Sequence, residues 1–362
     1  MKILVLRFSA MGDVAMTVPV LNQILQDNRD LEITLITQIG FQPFFENIER
    51  LNVLGQDKNK LKSLWALFIL SKSLWEREAF EQVLDLHGSL RARIISLFFW
   101  LRGIPVFKIQ KGKEEKNRAI RQKEKILKPL KTSFNRYLDV FFEAGWNKNS
   151  VYIPDQDSEG SHWALLGMKL KEPWKKRDLF FQSLNSSPTI KPVLIGWAPF
   201  AGFRLKEMPL NHQIKVVHLL LERLPNAFIF LLAGPKQKEL LGDFWLNTPF
   251  QNRLFFIGDW SESLREELSI IHELEILVSM DSANMHLGAL LNRKVLGIYG
   301  TTHPDLGFSP FLQRQSGTFG LDGLDCRPCT VFGNGKCYRG DFACMNQINE
   351  NVLVDEIIKR LF

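Results

Sequence analysis

ILVSMDSANMHLGALLNRKVLGIYGTTHP, residues 276–304, is the stretch that decides the fold of this chain. Its first five residues, 276–280, predict a short buried strand, and Asp281 and Ser282 are residue types that begin helices. A short helix then closes at Asn292-Arg293-Lys294, and the apolar run Val295–Tyr299 predicts a second strand. Strand, helix and strand form one βαβ unit, so we expect the two strands to be parallel.

Small and polar residues follow both strands of this unit. Ligands of parallel sheets bind beyond the carboxyl ends of the strands, which here carry Asp281-Ser282-Ala283-Asn284 and Gly300-Thr301-Thr302. The first segment begins a helix, whose free backbone N–H groups favour an anion such as a diphosphate. A helix cap at Asp281 with His286 filling a gap in the core explains the same pattern, and both interpretations stay open at this point.

Length and composition predict a globular protein of about two domains. The chain has 362 residues, and none of its apolar runs reaches the length of a membrane-spanning helix. The apolar opening before Arg7 is too short for the core of a signal peptide. These features predict a cytoplasmic location.

The net charge of +7 is concentrated in one segment, Lys108–Lys131. Ten basic residues and three acids there account for the whole excess. Nucleic acid is disfavoured as a partner, because no aromatic residue is interleaved and no recognition motif follows. A solvated face, an acidic substrate and an anionic membrane surface remain as interpretations.

Strands and helices alternate through both halves of the chain. Lys2–Leu6 predicts a strand and Val14–Gln26 a helix, and the runs Leu61–Phe80 and Leu90–Leu101 predict helices that pack on a sheet or contact a membrane interface. The further predicted strands are Glu32–Thr37, Gln82–Leu86, Val193–Ala198, Phe228–Ala233 and Leu254–Ile257, and a closing helix is predicted over Val352–Leu361.

This alternation predicts two Rossmann-like, doubly wound α/β domains that face each other across a cleft. We place an N-terminal domain at residues 1–155, a linker region at 156–192, a C-terminal domain at 193–348 and a closing helix at 349–362. The polar stretch Asp155–Gly160 and a connector with Ser186, Ser187, Pro188 and Pro192 mark the boundary.

Two loops after predicted strands carry residues suited to chemistry. Asp13 follows the first strand, where a carboxylate can act as a general base or simply cap a helix. Lys206 and Arg204 lie in a glycine-containing loop after Val193–Ala198, and two cations suit a phosphate leaving group. Gly234 follows the next strand in the same way.

These pieces, in this order, resemble the ADP-heptose:lipopolysaccharide heptosyltransferase family, glycosyltransferase family 9. The resemblance rests on the opening KILVLRFSAMGDVAMTVPVLNQI, the loop 204–209, Leu232–Pro235, Asp281–Leu287 and Gly300–Pro304. The cysteine-containing ending from Cys326 to Met345 also has its counterpart in many members. The match covers nearly the whole chain.

The resemblance implies a GT-B fold and an inverting transfer from a nucleotide sugar that requires no metal or other cofactor. It also implies that the domain at 1–155 binds the acceptor and the domain at 193–348 binds the nucleotide sugar. Asp13 matches the general base and Lys206 the diphosphate-binding lysine. Met208 stands where Trp is usual and Ala283 where Gly is usual, and the second change removes the freest backbone position beside the donor. The residues assigned to substrate binding are Ser9, Gly12, Arg204, Gly234, Asp281, Ser282, Ala283, Asn284, His286, Gly300 and Thr301.

The family also implies partners: an ADP-heptose-like donor, and a lipopolysaccharide or lipid-linked sugar as acceptor. The apolar helical runs and the basic segment add peripheral contact with the inner membrane as an expectation. Arg118 and Arg121 of the basic segment are assigned to the phosphate-bearing acceptor. A transferase of the same fold with another nucleotide sugar, and a GT-B-type sugar-nucleotide epimerase, are the alternatives. A dinucleotide-dependent dehydrogenase lacks its glycine fingerprint here, and Asp13 with Lys206 disfavours a binding protein without catalysis.

All four cysteines lie near the end of the chain, with the spacing C-x2-C-x7-C-x6-C. Four clustered thiols can close a tetrahedral structural zinc site, and in a reducing compartment free thiols are the other main interpretation. Both stay open, with a stabilising role in either case. The cysteines are Cys326, Cys329, Cys337 and Cys344.

Overall fold

The computed structural model describes residues 1–122, 127–146, 170, 173–184, 191–245, 248–310 and 317–362. Lys123 and Lys125 of the basic segment, the polar stretch Asp155–Gly160 and much of the linker region lie outside the described residues.

The chain forms two compact units. Among the described residues, the first unit contains residues 1–112 and 131–146, and the second contains residues 113–122, 127–130 and those from 170 onward. The segment Lys113–Leu130, which the sequence analysis assigns to the acceptor-binding domain, therefore clusters with the second unit.

Each unit is built on one sheet in which every strand pair is parallel. The first sheet has the order β3-β2-β1-β4-β5 and the second the order β11-β10-β9-β6-β7-β8. The strands are β1 Lys2–Leu6, β2 Glu32–Gln38, β3 Leu51–Gln56, β4 Gln82–Asp85, β5 Val106–Lys108, β6 Val193–Ala198, β7 Ala227–Leu231, β8 Leu254–Phe256, β9 Ile276–Met280, β10 Lys294–Ile298 and β11 Thr318–Phe319.

Helices connect successive strands, as parallel sheets require. They are α1 Met11–Ala15, α2 Thr17–Asp27, α3 Leu64–Arg77, α4 Leu90–Trp100, α5 Lys113–Arg121, α6 Ser133–Glu143, α7 Arg177–Ser183, α8 Leu210–Arg223, α9 Gly242–Trp245, α10 Ile257–Trp260, α11 Leu264–Glu273, α12 Ala283–Leu290, α13 Ala343–Asn346 and α14 Glu350–Leu361. Short 3₁₀ turns include Arg204–Lys206 and Pro304–Leu306.

The central strands are confirmed where sequence predicted them. β1, β6 and β9 have the predicted bounds, because each is a continuous apolar run buried between helices on both faces of its sheet. The short edge strands β3, β5 and β11 were not predicted, since their half-buried residues give no such run.

The single helix predicted over Val14–Gln26 is wrong. The structure divides it at Met16 into α1 and α2. Pro19 has no N–H to donate to Ala15 O, four residues before it. Just before it, the Thr17 hydroxyl donates to Val14 O at 2.7 Å.

Strand order reverses once in each sheet, between β1 and β4 in the first and between β6 and β9 in the second. Such a reversal leaves a crevice beyond the carboxyl ends of the two strands, where ligands of doubly wound sheets bind. Leu6 pairs with Asp85 and Ala198 pairs with Ser279 at these ends. The two doubly wound α/β units confirm the predicted fold class. None of the described helices is long and apolar enough to cross a membrane.

Candidate active site

An ion pair marks the reversal point of the first sheet. Arg7 directly follows β1, and its Nη2 lies 2.6 Å from Asp13 Oδ2 in α1. Arg7 is buried and also donates from Nη1 to Leu86 O at 2.6 Å, next to the end of β4. The Asp13 side chain keeps 43% of its surface exposed, so its carboxylate is held in place and still open to solvent.

Asp13 does not cap a helix. The N-cap of α1 is Ala10, and Asp13 lies within the first turn with its carboxylate directed to Arg7. Tyr137 of α6 donates its hydroxyl to Asp13 O at 3.3 Å, and its ring lies 5.4 Å from the Arg7 guanidinium carbon. The orientation of the Asp13 carboxylate is therefore set by Arg7, at the end of β1, and not by the backbone of α1.

The loop after β4 places a neutral histidine beside this pair. His87 Nδ1 accepts from Phe8 N–H at 3.3 Å, which leaves the ring proton on Nε2. Burial, together with the positive charges of Arg7 and Lys111, lowers the pKa of His87 to about 4. Burial also raises the pKa of the adjacent Asp85 carboxyl, whose Oδ1 accepts from the N–H groups of His87 and Gly88.

A second ion pair marks the reversal point of the second sheet. Lys206 follows β6 and its Nζ lies 2.8 Å from Oδ2 of Asp281, which follows β9. The same carboxylate oxygen accepts from Thr302 Oγ1 at 2.7 Å, after β10. Asp281 and Thr302 are buried, whereas Lys206 keeps 14% of its side chain exposed. Three adjacent strand ends thus meet at one carboxylate.

The loops that carry these residues are tied together. Thr301 Oγ1 donates to Leu205 O at 2.8 Å, and Thr301 O accepts from the N–H groups of Cys329 and Thr330. Gly333 lies against the stem of Lys206: with its φ of +79°, a Cβ there would come within 2.5 Å of Lys206 Cγ. The segment that follows the last βαβ unit therefore helps to position Lys206.

The helix α12 begins directly beside this ion pair. Ser282 is its N-cap and makes no side-chain capping bond, since its Oγ lies instead 3.1 Å from Ser279 Oγ. Ala283 and Asn284 are half-buried in the first turn and His286 is half-buried one turn on. The capping interpretation of Asp281 is wrong, because its carboxylate points to Lys206 and Thr302.

The remaining predicted residues lie around the same strand ends. Arg204 is exposed and sits 3.6 Å from Glu207 Oε2. Gly234 is exposed after β7 and its N–H donates to Gln237 Oε1 at 3.1 Å. Gly300 is buried, where a Cβ would meet Met345 Cε at 2.6 Å. In the first unit, Ser9 is half-buried in the loop after β1 and Gly12 is buried in α1.

Sequence reasoning overlooked one aromatic residue at this site. The Phe308 ring centroid lies 4.2 Å from Lys116 Nζ of α5 and 5.9 Å from Lys206 Nζ. The basic segment therefore reaches the surroundings of Lys206 through Lys116. Arg118 and Arg121, the residues predicted to hold an acceptor, are exposed on the same helix.

The chain is similar to known proteins over most of its length. Residues 68–334, more than half of the chain, match the model of glycosyltransferase family 9 (heptosyltransferase). The chain belongs to this family. It is 23% identical over 333 residues to lipooligosaccharide heptosyltransferase 2 of Haemophilus ducreyi, covering 87% of each chain. The activity is thus that of a glycosyltransferase.

Solved structures show the same fold. A glycosyltransferase family 9 protein from Veillonella parvula superposes with a TM-score of 0.73 at 16% identity, over 99% of this chain and 97% of that one. The ADP-heptose lipopolysaccharide heptosyltransferase II of E. coli gives a TM-score of 0.67 at 19% identity, over 100% and 98% of the two chains. The predicted GT-B fold class, with two parallel-sheet α/β domains, is confirmed.

The structure shows the surroundings of Met208, one of the two residues that depart from the family 9 pattern. Met208, where the resemblance implies Trp, is fully buried in the core of the second unit, and its N–H lies 3.4 Å from Met280 Sδ. Its side chain fills core space directly below the Lys206 loop. The substitution therefore changes packing behind the loop.

No disulfide joins the four cysteines, and Cys344 is buried while the other three are half-buried. Burial, followed by the neighbouring thiols, raises the pKa of Cys344 to about 12. Within the described ranges, no three His, Cys, Asp or Glu side chains form a group that could hold a metal ion. Structural zinc and free thiols therefore both stay predictions.

Elemental analysis of protein purified without chelator separates these two states of the cysteine cluster. A zinc site predicts about one zinc per chain and thiols that react only after the metal is removed. Free thiols predict less than about 0.2 zinc per chain and four thiols that titrate on unfolding. Replacing Cys329 with Ser should lower the zinc content only in the first case.

Proposed function

We propose that this family 9 protein is an inverting glycosyltransferase that moves a heptose from ADP-heptose to the inner core of lipopolysaccharide. The observation that carries the proposal is the Lys206–Asp281–Thr302 network at the reversal point of the second sheet, beside the start of α12. The donor diphosphate binds there, and Asp13 of the first unit is the general base.

The network suits a diphosphate for two reasons. The first N–H groups of α12 have no acceptor within the helix, and they carry the positive end of its dipole. Lys206 supplies a full positive charge that Asp281 and Thr302 hold in a fixed position. As the glycosidic bond to the diphosphate breaks, negative charge grows on the leaving group, and a cation held in place stabilises it without reorganising.

Asp281 has a positioning role in this proposal. A buried carboxylate beside a dianion would repel it, but here its charge is balanced by Lys206 and by the Thr302 hydroxyl. The carboxylate therefore fixes the ammonium group and leaves the phosphate oxygens to Lys206 and the α12 N–H groups.

Asp13 suits the acceptor side of the reaction. Its carboxylate is exposed by 43% and oriented by Arg7, so an incoming sugar hydroxyl can reach it. The hydroxyl loses its proton to Asp13 while its oxygen attacks the anomeric carbon, the bond to the diphosphate oxygen breaks and the configuration inverts. This transfer needs no metal ion. The cytoplasmic location expected from the sequence remains a prediction.

The names of the relatives support the choice of donor and acceptor. The H. ducreyi relative is a lipooligosaccharide heptosyltransferase, and the E. coli structure is that of an ADP-heptose lipopolysaccharide heptosyltransferase. A transferase with another nucleotide sugar and a sugar-nucleotide epimerase are the alternatives. Incubation with ADP-heptose, with and without a truncated lipopolysaccharide, separates them: transfer requires the acceptor, and epimerisation does not.

The first prediction concerns the base. Asp13→Asn removes the proton acceptor but keeps the shape of the side chain, so transfer should fall by about 10²–10⁴-fold while ADP binding is unchanged. Asp139→Asn is the matched control, because Asp139 of the same unit is also a partly exposed carboxylate paired with a cation, Lys131, at 2.8 Å. Activity of the Asp13 variant equal to that of the control would refute the assignment.

The second prediction concerns the leaving group. Lys206→Met should weaken ADP binding and lower the single-turnover rate, each by about tenfold to a hundredfold, because the lost charge acts more strongly in the transition state. Calorimetry with ADP and single-turnover kinetics measure the two effects. Lys191→Met is the control, since Lys191 pairs with Glu275 at 2.7 Å just before β6 and β9 begin, at the amino ends of the strands. If both parameters stay at the control values, the diphosphate binds elsewhere.

A further inference from the structure

An apolar surface on the first unit has no role in the two sites described above. The helices α3 and α4 pack against each other and bury one face of each on the sheet, where Leu67, Leu74, Ile95 and Phe99 lie. Their outer faces are also apolar. Large apolar residues on the outer face of a surface helix are typical of a helix that another protein or a membrane covers, and here that face is open.

The apolar residues of these outer faces are strongly exposed. Trp65 exposes 69% of its surface, Trp100 61% and Leu101 67%. Half of the strongly exposed large apolar residues in the described part of the chain belong to this surface, so they are clustered and not scattered. Its members, which we call the α3–α4 surface, are Leu64, Trp65, Phe68, Ile69, Trp75, Leu90, Leu97, Trp100 and Leu101.

Ring contacts make the α3–α4 surface continuous across both helices. Trp65 and Phe68 of α3 stack with their centroids 5.7 Å apart, and Phe68 meets Phe98 of α4 edge-on at 5.6 Å. At the other end, Trp75 lies 6.2 Å from the ring of Phe99. The exposed side chains are thus held on one rigid two-helix platform.

The charges around the α3–α4 surface are mainly positive, although Glu76 of α3 is exposed and pairs with Lys72 at 3.6 Å, and Asp57 precedes Lys58. The chain has no acid between Lys58 and Trp75, and none between Leu86 and Lys113. The Arg102 guanidinium lies 3.5 Å from the Phe98 ring centroid and 5.8 Å from that of Trp75, so it covers apolar surface and keeps its charge at the edge. The exposed cations at this surface are Lys58, Lys60, Lys62, Lys72, Arg77, Arg93 and Arg102.

We propose that the α3–α4 surface docks on an anionic lipid bilayer, with its aromatic and aliphatic side chains in the interfacial region and its cations at the headgroups. Tryptophan, phenylalanine and leucine flanked by lysine and arginine are the combination that partitions into such an interface. The cations select lipids with negative headgroups. A second copy of the chain is a poorer occupant, because symmetric pairing would bring the same cations together. This proposal is independent of the transfer reaction.

Vesicle flotation of the full chain tests the proposal. We expect binding to vesicles of phosphatidylglycerol and phosphatidylethanolamine that weakens as salt is raised, and at least about tenfold weaker binding to phosphatidylcholine vesicles. The combined variant Trp65→Ser, Ile69→Ser and Trp100→Ser should lower the partition coefficient at least about tenfold. All three residues are exposed, so circular dichroism should show an unchanged fold.

The matched control replaces three equally exposed apolar residues of the second unit: Leu179→Ser, Leu240→Ser and Phe362→Ser. It should bind vesicles like the unmodified chain. A charge variant, Lys58→Gln with Lys60→Gln and Lys62→Gln, should lose binding to anionic vesicles by about tenfold to a hundredfold and leave the weak binding to phosphatidylcholine unchanged.

Four results would overturn the proposal. The first is that the unmodified chain does not bind anionic vesicles at low salt. The second is that the serine variant and its control bind equally well. The third is that the chain binds only vesicles that carry a lipopolysaccharide acceptor. The fourth is a dimer in sedimentation that the serine variant alone abolishes, which would make the surface an interface between copies of the chain. Loss of transfer activity with vesicle binding intact would leave the proposal standing.

Discussion

The ion pair between Lys206 and the buried carboxylate of Asp281 is the interaction on which the site of the second unit depends. Removing charges from water is costly, and a buried pair is stable only when its geometry is good and further hydrogen bonds satisfy it. Here the 2.8 Å contact is completed by Thr302, while Thr301 ties the Lys206 loop to the same strand end. Breaking such a pair from one side typically costs about 3–5 kcal/mol, so the ammonium group is fixed before any ligand arrives.

The parallel sheets explain why charged residues meet at the points where strand order reverses. β6, β9 and β10 are mostly buried apolar runs, so chemistry is concentrated in the loops at their carboxyl ends. The reversal of strand order brings two of those loops side by side and leaves space between them. The first unit repeats the arrangement with Arg7 and Asp13, where the buried cation orients a carboxylate that stays exposed.

Sequence predicted most of this fold because its central strands are long apolar runs bounded by helix-starting residues. It could not predict the partners of Asp281 and Asp13, because an aspartate before or within a first helical turn looks like a cap whatever its side chain contacts. It also missed Phe308 and Gly333, since the contacts of Phe308 with two lysines and of Gly333 with the Lys206 stem join residues far apart in the chain. The edge strands β3, β5 and β11 were missed because half-buried residues carry no clear period.

A structure of the protein with bound ADP tests the central claim most directly. The account predicts that the diphosphate lies within hydrogen-bond distance of Lys206 Nζ and of the first N–H groups of α12, with Asp281 still paired to Lys206. The second unit offers one clear alternative, a cleft of about 790 Å³ lined by Tyr299, His303, Asp305 and Arg327 among others. A diphosphate held in that cleft by Arg327, with Lys206 remote from it, would contradict the account.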